Sequence, residues 1–240
     1  MVQSEILCSA YAAAMYLQMI DFKGKVFVVG ESGIYDELAT AGIACAAPLT
    51  AEQMSPPSGT PVLEVDSEVD AVVVGLDRFV NYTKFAYAQH YLRNPGTAVV
   101  VPSWPLGVLT RLTRATLCTE TLFVATNNDS TFPSHHHLLP GAGTIVSAIE
   151  CCSARRATVV GKPSRIFVDI LLNRFPDLVP SRCLMIGDRL DTDIAFGKAA
   201  GFGTLLVETG INSLADAQQA TLPPDFVVPS VAHLLSDGGR

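Results

Sequence analysis

The densest group of chemically useful side chains lies at residues 187–194, Gly-Asp-Arg-Leu-Asp-Thr-Asp-Ile, directly after the apolar run 183–186. An apolar run closing on glycine reads as a strand that turns sharply into a helix. Ligands of parallel α/β sheets gather beyond the carboxyl ends of the strands, which puts Asp188 on the functional edge. Asp193, five residues on, falls in the first turn of the following helix and can face the same point. Carboxylates converging there suit a hard cation held through oxygen. Asp191 reads more simply as the cap of that helix. A second group, Gly161-Lys162-Pro163-Ser164, also follows an apolar run. Its lysine, fixed between Gly and Pro neighbours, offers a point charge to a phosphoryl group, and Ser164 caps the next helix. Roughly one helix with its loops separates the two groups, so two neighbouring strands of one sheet would each present one of them.

The elements that must position these residues follow from periodicity. Residues 4–20 read as a helix capped by Ser4, with Tyr11 and Tyr16 as packing residues. Residues 25–29 are a strand, 32–41 a helix stopping at Gly42, and 45–69 a loop. Residues 70–75 form a strand and 81–92 a helix. Residues 122–126 form a strand, followed by a turn-rich stretch to Pro140 and a helix over 142–152. A strand at 158–161, a helix at 164–175, a strand at 183–186 and a helix at 191–200 ending at Gly201 follow. A strand at 204–207 and a final strand and helix within 226–235 close the chain. Strands alternating with helices imply parallel sheets covered on both faces.

Composition narrows the function classes. Hydrophobic residues are 49% of the 240 and charged residues 16%, with net charge −7, so the chain is globular. No Lys/Arg cluster occurs, which argues against nucleic acid. The six cysteines, at 8, 45, 118, 151, 152 and 183, form no CxxC pair and read as reduced thiols. Lys23 is the first basic residue, which fits neither a secretory nor a transit leader, and no apolar run reaches the ~20 residues of a membrane span. The expectation is a cytoplasmic protein with no membrane partner.

Residues 161–164 and 187–194 together resemble the third and fourth motifs of the haloacid dehalogenase-like phosphatases. The likeness narrows to the large-cap branch that holds 4-nitrophenylphosphatase, phosphoglycolate phosphatase and pyridoxal phosphatase. It extends through residues 4–17, 25–34, 71–77, 122–133, 140–144 and 204–213. The resemblance implies an α/β fold: an incomplete Rossmann-like core with a parallel sheet, plus a large α/β cap domain. Residues 1–21 would be a remnant of the N-terminal part of the core, 22–156 the cap, and 157–240 the C-terminal part of the core. It implies a Mg2+-dependent phosphatase acting on a small phosphorylated metabolite through a phospho-aspartate. Lys162 would contact the phosphoryl group, Asp188 would hold Mg2+, and Asp193 would support it. Asp77, Asn128, Asp129, Phe132 and Pro133 would face the substrate from the cap, and the cap would make a homodimer.

Two departures stand out. The DxDG segment that carries the family's nucleophile and the second motif that follows it are absent from the 240 residues. Asp66 and Asp70 sit in a polar stretch and do not replace the pair, and Asn127-Asn128 is not the second motif. The core is therefore expected to fold less well than the cap, and the alternative function is a dimerising cap protein that binds without turnover. Residues 98–121 also break the family's pattern and read as translated intron or as a surface insertion. Three other signals carry less. Gly30-Glu31-Ser32-Gly33 lacks the dinucleotide spacing, His135-His136-His137 reads as a solvated run, and His90 and His233 lack triad partners.

Overall fold

The computed structural model describes residues 5–55, 63–94, 99–102, 115–118, 120–134 and 137–236. The chain divides into two compact units, Met1–Gly161 and Lys162–Arg240.

The first unit contains α1 (Ser9–Met19), β1 (Lys25–Val29), α2 (Ser32–Thr40), β2 (Ala44–Cys45), α3 (Ala51–Met54), β3 (Val69–Val74) and α4 (Tyr82–Arg93). It continues with β4 (Val99–Pro102), β5 (Ala115–Cys118), β6 (Leu122–Ala125), β7 (Thr131–Ser134), β8 (His137–Pro140), α5 (Ala142–Ser153) and β9 (Thr158–Val159). Five parallel strands run in the order β2-β1-β3-β6-β9. The apolar runs of β1 and β3 are buried nearly end to end, as strands covered on both faces must be. Behind them Phe27, Tyr87 and Tyr91 pack ring to ring, with centroids 5.2 to 6.3 Å apart. The phenol oxygens of Tyr87 and Tyr91 accept the backbone amides of Glu64 and Asp66, which ties the approach to β3 onto α4.

Several sequence expectations need correction here. Helix α1 begins later than residue 4: Cys8 is its cap, its Sγ accepting the Tyr11 amide, while Ser4 lies outside the described residues. The stretch 45–69 is not all loop, because Thr50 and Gln53 form a reciprocal capping box that starts α3. The turn-rich stretch before Pro140 contains an antiparallel hairpin, β7 with β8. Within 98–121, β4 and β5 pair antiparallel, and residues 103–114 lie outside the described residues. That excursion leaves after α4 and returns before β6 at a single side chain. The Arg155 guanidinium donates to the carbonyls of Leu92 and Thr121, both at 3.1 Å, and pairs with Glu120.

The second unit contains α6 (Arg165–Arg174), β10 (Leu184–Gly187), a π-helical turn (Leu190–Ile194), α7 (Ala195–Ala200), β11 (Gly203–Val207), α8 (Leu214–Gln219), β12 (Phe226–Val228) and α9 (His233–Ser236). Its sheet is β10-β11-β12, all parallel. Ile194, Leu206 and Ala217 make its buried centre, and Phe196 of α7 meets Phe167 at a tilt and Phe202 edge-on. The apolar run 183–186 supplies the strand β10, an edge strand of this sheet with Leu184 46% and Ile186 37% exposed. Leu184 and Ile186, two positions apart, project from one face of the sheet, and that face is open among the described residues. Gly201 closes α7 in the left-handed region, at φ 73°, where a side chain would be strained. Among the described residues, no helix is long and apolar enough to cross a membrane.

Asp225 fastens this sheet. Its carboxylate takes the Lys198 ammonium and the Thr204 amide and hydroxyl, joining α7 and β11 to the start of β12. Lys198 first, then Thr204, hold its carboxyl below the usual range. A depressed folded pKa contributes stability that is present above the unfolded value, about 4, and lost as pH falls through the folded one. The melting-temperature gap between wild type and Asp225→Asn should therefore be widest at neutral pH and narrow below about pH 4. A gap that stays constant from pH 7 to pH 2 in thermal scans would contradict the assignment.

Candidate functional site

The second unit brings the two chemically loaded groups of the sequence together. Lys162 Nζ lies 2.6 Å from Asp193 Oδ1. The other oxygen, Asp193 Oδ2, accepts the backbone amides of Asp188 and Arg189, both at 3.2 Å. The Asp193 side chain is 8% exposed and the Lys162 side chain 38%, so a nearly buried carboxylate holds a cation that still reaches solvent. Asp193 occupies the π-helical turn after β10, whose wider winding follows directly on the backbone it grips.

The glycine before Asp188 has a steric reason. A Cβ on Gly187 would lie 2.3 Å from Cβ and Cγ of Asp193. Gly210 does the same for Asp188, since a Cβ there would lie 1.9 Å from Asp188 Oδ2. That oxygen accepts the Ile211 amide at 3.0 Å. Asn212 completes the loop, donating its amide to the Asp188 carbonyl and accepting the Leu190 amide on its side chain. Sequence reasoning gave no role to residues 210–212; a glycine two positions before an asparagine, just after a strand, was the available signal.

The expectation of two neighbouring strands is corrected. β9, which leads to Lys162, pairs with β6 in the five-stranded sheet, whereas β10 pairs with β11. The Val160 amide donates to the Ala125 carbonyl, so the chain before Lys162 takes its backbone partner from the first unit's sheet. Lys162 meets Asp193 through its own side chain, across the loop that contains the cis Lys162–Pro163 bond. Asp191 is not the helix cap. Arg189 holds the cap position without capping the turn's amides through its side chain, and exposed Asp191 pairs with the Arg189 guanidinium.

The remaining candidates lie in the first unit. Asp77 follows β3 and is buried, its Oδ2 2.6 Å from Lys84 Nζ and its Oδ1 accepting the Phe79 amide. Asn128 and Asp129 follow the adjacent strand β6; Asn128 is exposed and Asp129 half-buried, its amide donated to Asn127 Oδ1. Phe132 is half-buried and Pro133 exposed on β7. His135 and His136 lie outside the described residues. His233 does have a serine neighbour, with Ser230 Oγ 3.4 Å from Nδ1, contrary to the sequence reading.

A divalent ion needs oxygen donors, and Asp193 has both of its oxygens committed. Asp188 Oδ1 meets no partner among the described residues, and no group of three His, Cys, Asp or Glu side chains forms there. One carboxylate of this kind fits Mg2+, which is commonly held by one or two carboxylates, waters and substrate phosphate.

Comparison with known proteins gives the site a context. A HAD-hydrolase-like family model matches residues 159–234. Phosphoglycolate phosphatase 2 of Arabidopsis thaliana is 37% identical over 97% of the chain and 71% of its own length. Chloroplastic phosphoglycolate phosphatase 1A of the same plant is 36% identical over 98% of the chain and 60% of its own length. The chain thus spans roughly two thirds of these relatives. A thermostable NPPase from Geobacillus stearothermophilus, in a double-mutant crystal structure, superposes with TM-score 0.71 at 27% identity, covering 96% of this chain and 73% of that one.

Gly187→Ala should force Asp193 off its two amides and lower stability by about 1–3 kcal/mol in denaturant unfolding. Gly33→Ala, where nothing lies within 4 Å in helix α2, should be neutral or stabilising. Equal effects at the two glycines would contradict the steric argument.

Proposed function

The chain belongs to the haloacid dehalogenase-like hydrolases, in the large-cap branch of phosphoglycolate phosphatase and its relatives, and we propose that it supplies the phosphoryl-gripping part of a Mg2+-dependent phosphatase of small phosphomonoesters. The observation that carries this reading is the single carboxylate of Asp193, which holds the Lys162 ammonium on one oxygen and the turn bearing Asp188 on the other. The Lys162 ammonium and the backbone that carries Asp188 are thereby tied to one side chain. Phosphoryl transfer depends chiefly on positioning and on charges aimed at the non-bridging oxygens.

In this reading Lys162 donates to a phosphoryl oxygen. Asp193 fixes the ammonium, so the charge is in place before substrate arrives. Asp188, one oxygen of which is oriented by the Ile211 amide, would hold Mg2+. Mg2+, when bound, neutralises phosphate charge and helps align the ester for in-line attack. The attacking carboxylate is that of a DxDG segment that these 240 residues do not contain. Residues 22–156 act as the cap and 157–240 as the C-terminal part of the core. Asp77, Asn128, Asp129, Phe132 and Pro133 belong to the cap's contribution to substrate choice, Asp77 by fixing its loop through Lys84. The cap also pairs two copies, and the free thiols of Cys8, Cys45, Cys151, Cys152 and Cys183 are compatible with the cytoplasm.

The full reading frame that contains these residues should hydrolyse 4-nitrophenyl phosphate with Mg2+ and lose turnover in EDTA. Asp188→Asn and Lys162→Ala should each cut kcat by about 100-fold or more. Turnover that survives EDTA, or an Asp188→Asn variant as active as wild type, would remove the assignment.

A further inference from the structure

The five-stranded sheet of the first unit holds a feature that phosphoryl chemistry leaves unused. Its order β2-β1-β3-β6-β9 sends the chain from β1 to one side and resumes it on the other side with β3. Doubly wound sheets of this order have a switch point between those two strands, where the following loops diverge and a ligand finds room at the carboxyl edge. Two segments border that point, residues 30–31 after β1 and residues 75–81 after β3. Both pass tightly over Ile34: a Cβ on Gly30 or Gly75 would come within 2.4 or 2.6 Å of its Cδ1.

Arg78 joins the two segments. Its Nε donates to Glu31 Oε1 at 2.7 Å, its Nη2 to Oε2 at 2.9 Å, and its backbone amide to Oε1 at 3.2 Å. The Arg78 guanidinium holds the Glu31 carboxyl below the usual range, chiefly through that fork. Two parallel hydrogen bonds fix the plane of the guanidinium as well as its position. They use one edge of it. Nη1 meets no described residue, and the Arg78 side chain is 66% exposed. Phe79 follows it directly, 75% exposed, and the nearby cation Lys84, in the first turn of α4, is committed to buried Asp77.

We propose that the outward Nη1/Nη2 edge of Arg78, at the β1/β3 switch point, is a binding site for a small molecule bearing a carboxylate, with Glu31 as the positioning residue and Phe79 as an apolar wall. The planar fork of the guanidinium matches the two oxygens of a carboxylate. A phosphate dianion is a poorer match, because Glu31 already neutralises the cation and would repel a second negative charge more strongly. The site belongs to the first unit alone and stands whether or not the phosphatase reading does.

The test is a titration of the intact protein, followed by NMR of the Arg78 Nε–H resonance and the amides of residues 30–31 and 75–81. Glycolate should shift them saturably in the millimolar range, and neutral glycolamide should not. Arg78→Gln should weaken glycolate binding by about tenfold or more, the loss expected of charge-assisted hydrogen bonds. Arg78→Lys keeps the charge and removes the fork, and should weaken it as well; it carries the test if Arg78→Gln does not fold. No saturable shift with glycolate, equal binding of inorganic phosphate, or wild-type binding in the Lys variant would each overturn the proposal.

Discussion

The carboxylate of Asp193 bears two obligations at once, and the geometry of the second unit follows from them. One oxygen faces the Lys162 ammonium; the other receives the two amides that open the turn after β10. A nearly buried carboxylate is costly to desolvate, and it is tolerated here because a cation and two N–H donors replace its water. The same arrangement dictates the neighbours. Residue 187 must be glycine because Asp193 folds back against its Cα, and residue 210 must be glycine because Asp188 does so there. The four positions form one steric and electrostatic unit, although residues 187 and 210 lie 23 positions apart.

That unit is packed unevenly. β11 and β12 are held by Asp225 and by the Ile194–Leu206 centre, whereas β10 presents an unpaired edge with exposed Leu184 and Ile186. An apolar, unpaired edge is a template for another strand. The strand that would carry a DxDG nucleophile is a natural occupant in the phosphatase reading, since a parallel strand added there would end beside Asp188. The first unit needs no such addition. Its sheet has helices on its faces, and its aromatic cluster anchors the loop before β3 through phenol hydroxyls.

Much of this was legible in the sequence, for identifiable reasons. Apolar runs that end on glycine gave β1, β3 and β10, and helix starts were marked by Asn81 and Ser164, both of which cap through their side chains. The pairing of Lys162 with Asp193 was visible as two short motifs whose residue types make sense only together. The sheet to which the strand before Lys162 belongs was not visible, because a two-residue pairing carries no periodicity and is decided by whichever neighbour offers free carbonyls. Asp191 misled, since an acid at a helix start suits a cap as well as it suits a solvent pair with Arg189. The hairpin after β6 was hidden by its prolines and histidines, and the cap of α1 by the rarity of a thiol in that role. Arg78 drew no attention because its meaning depends on strand order, which a single sequence does not print.

The central claim is that Lys162 and Asp193 form an interacting pair although 31 positions separate them. A double-mutant cycle on unfolding free energy, using Lys162→Met, Asp193→Asn and the combination, measures that interaction apart from the cost of each change. The account predicts a coupling on the order of 1 kcal/mol or more, as for other side chains in contact. Strictly additive single effects, with no coupling, would contradict it.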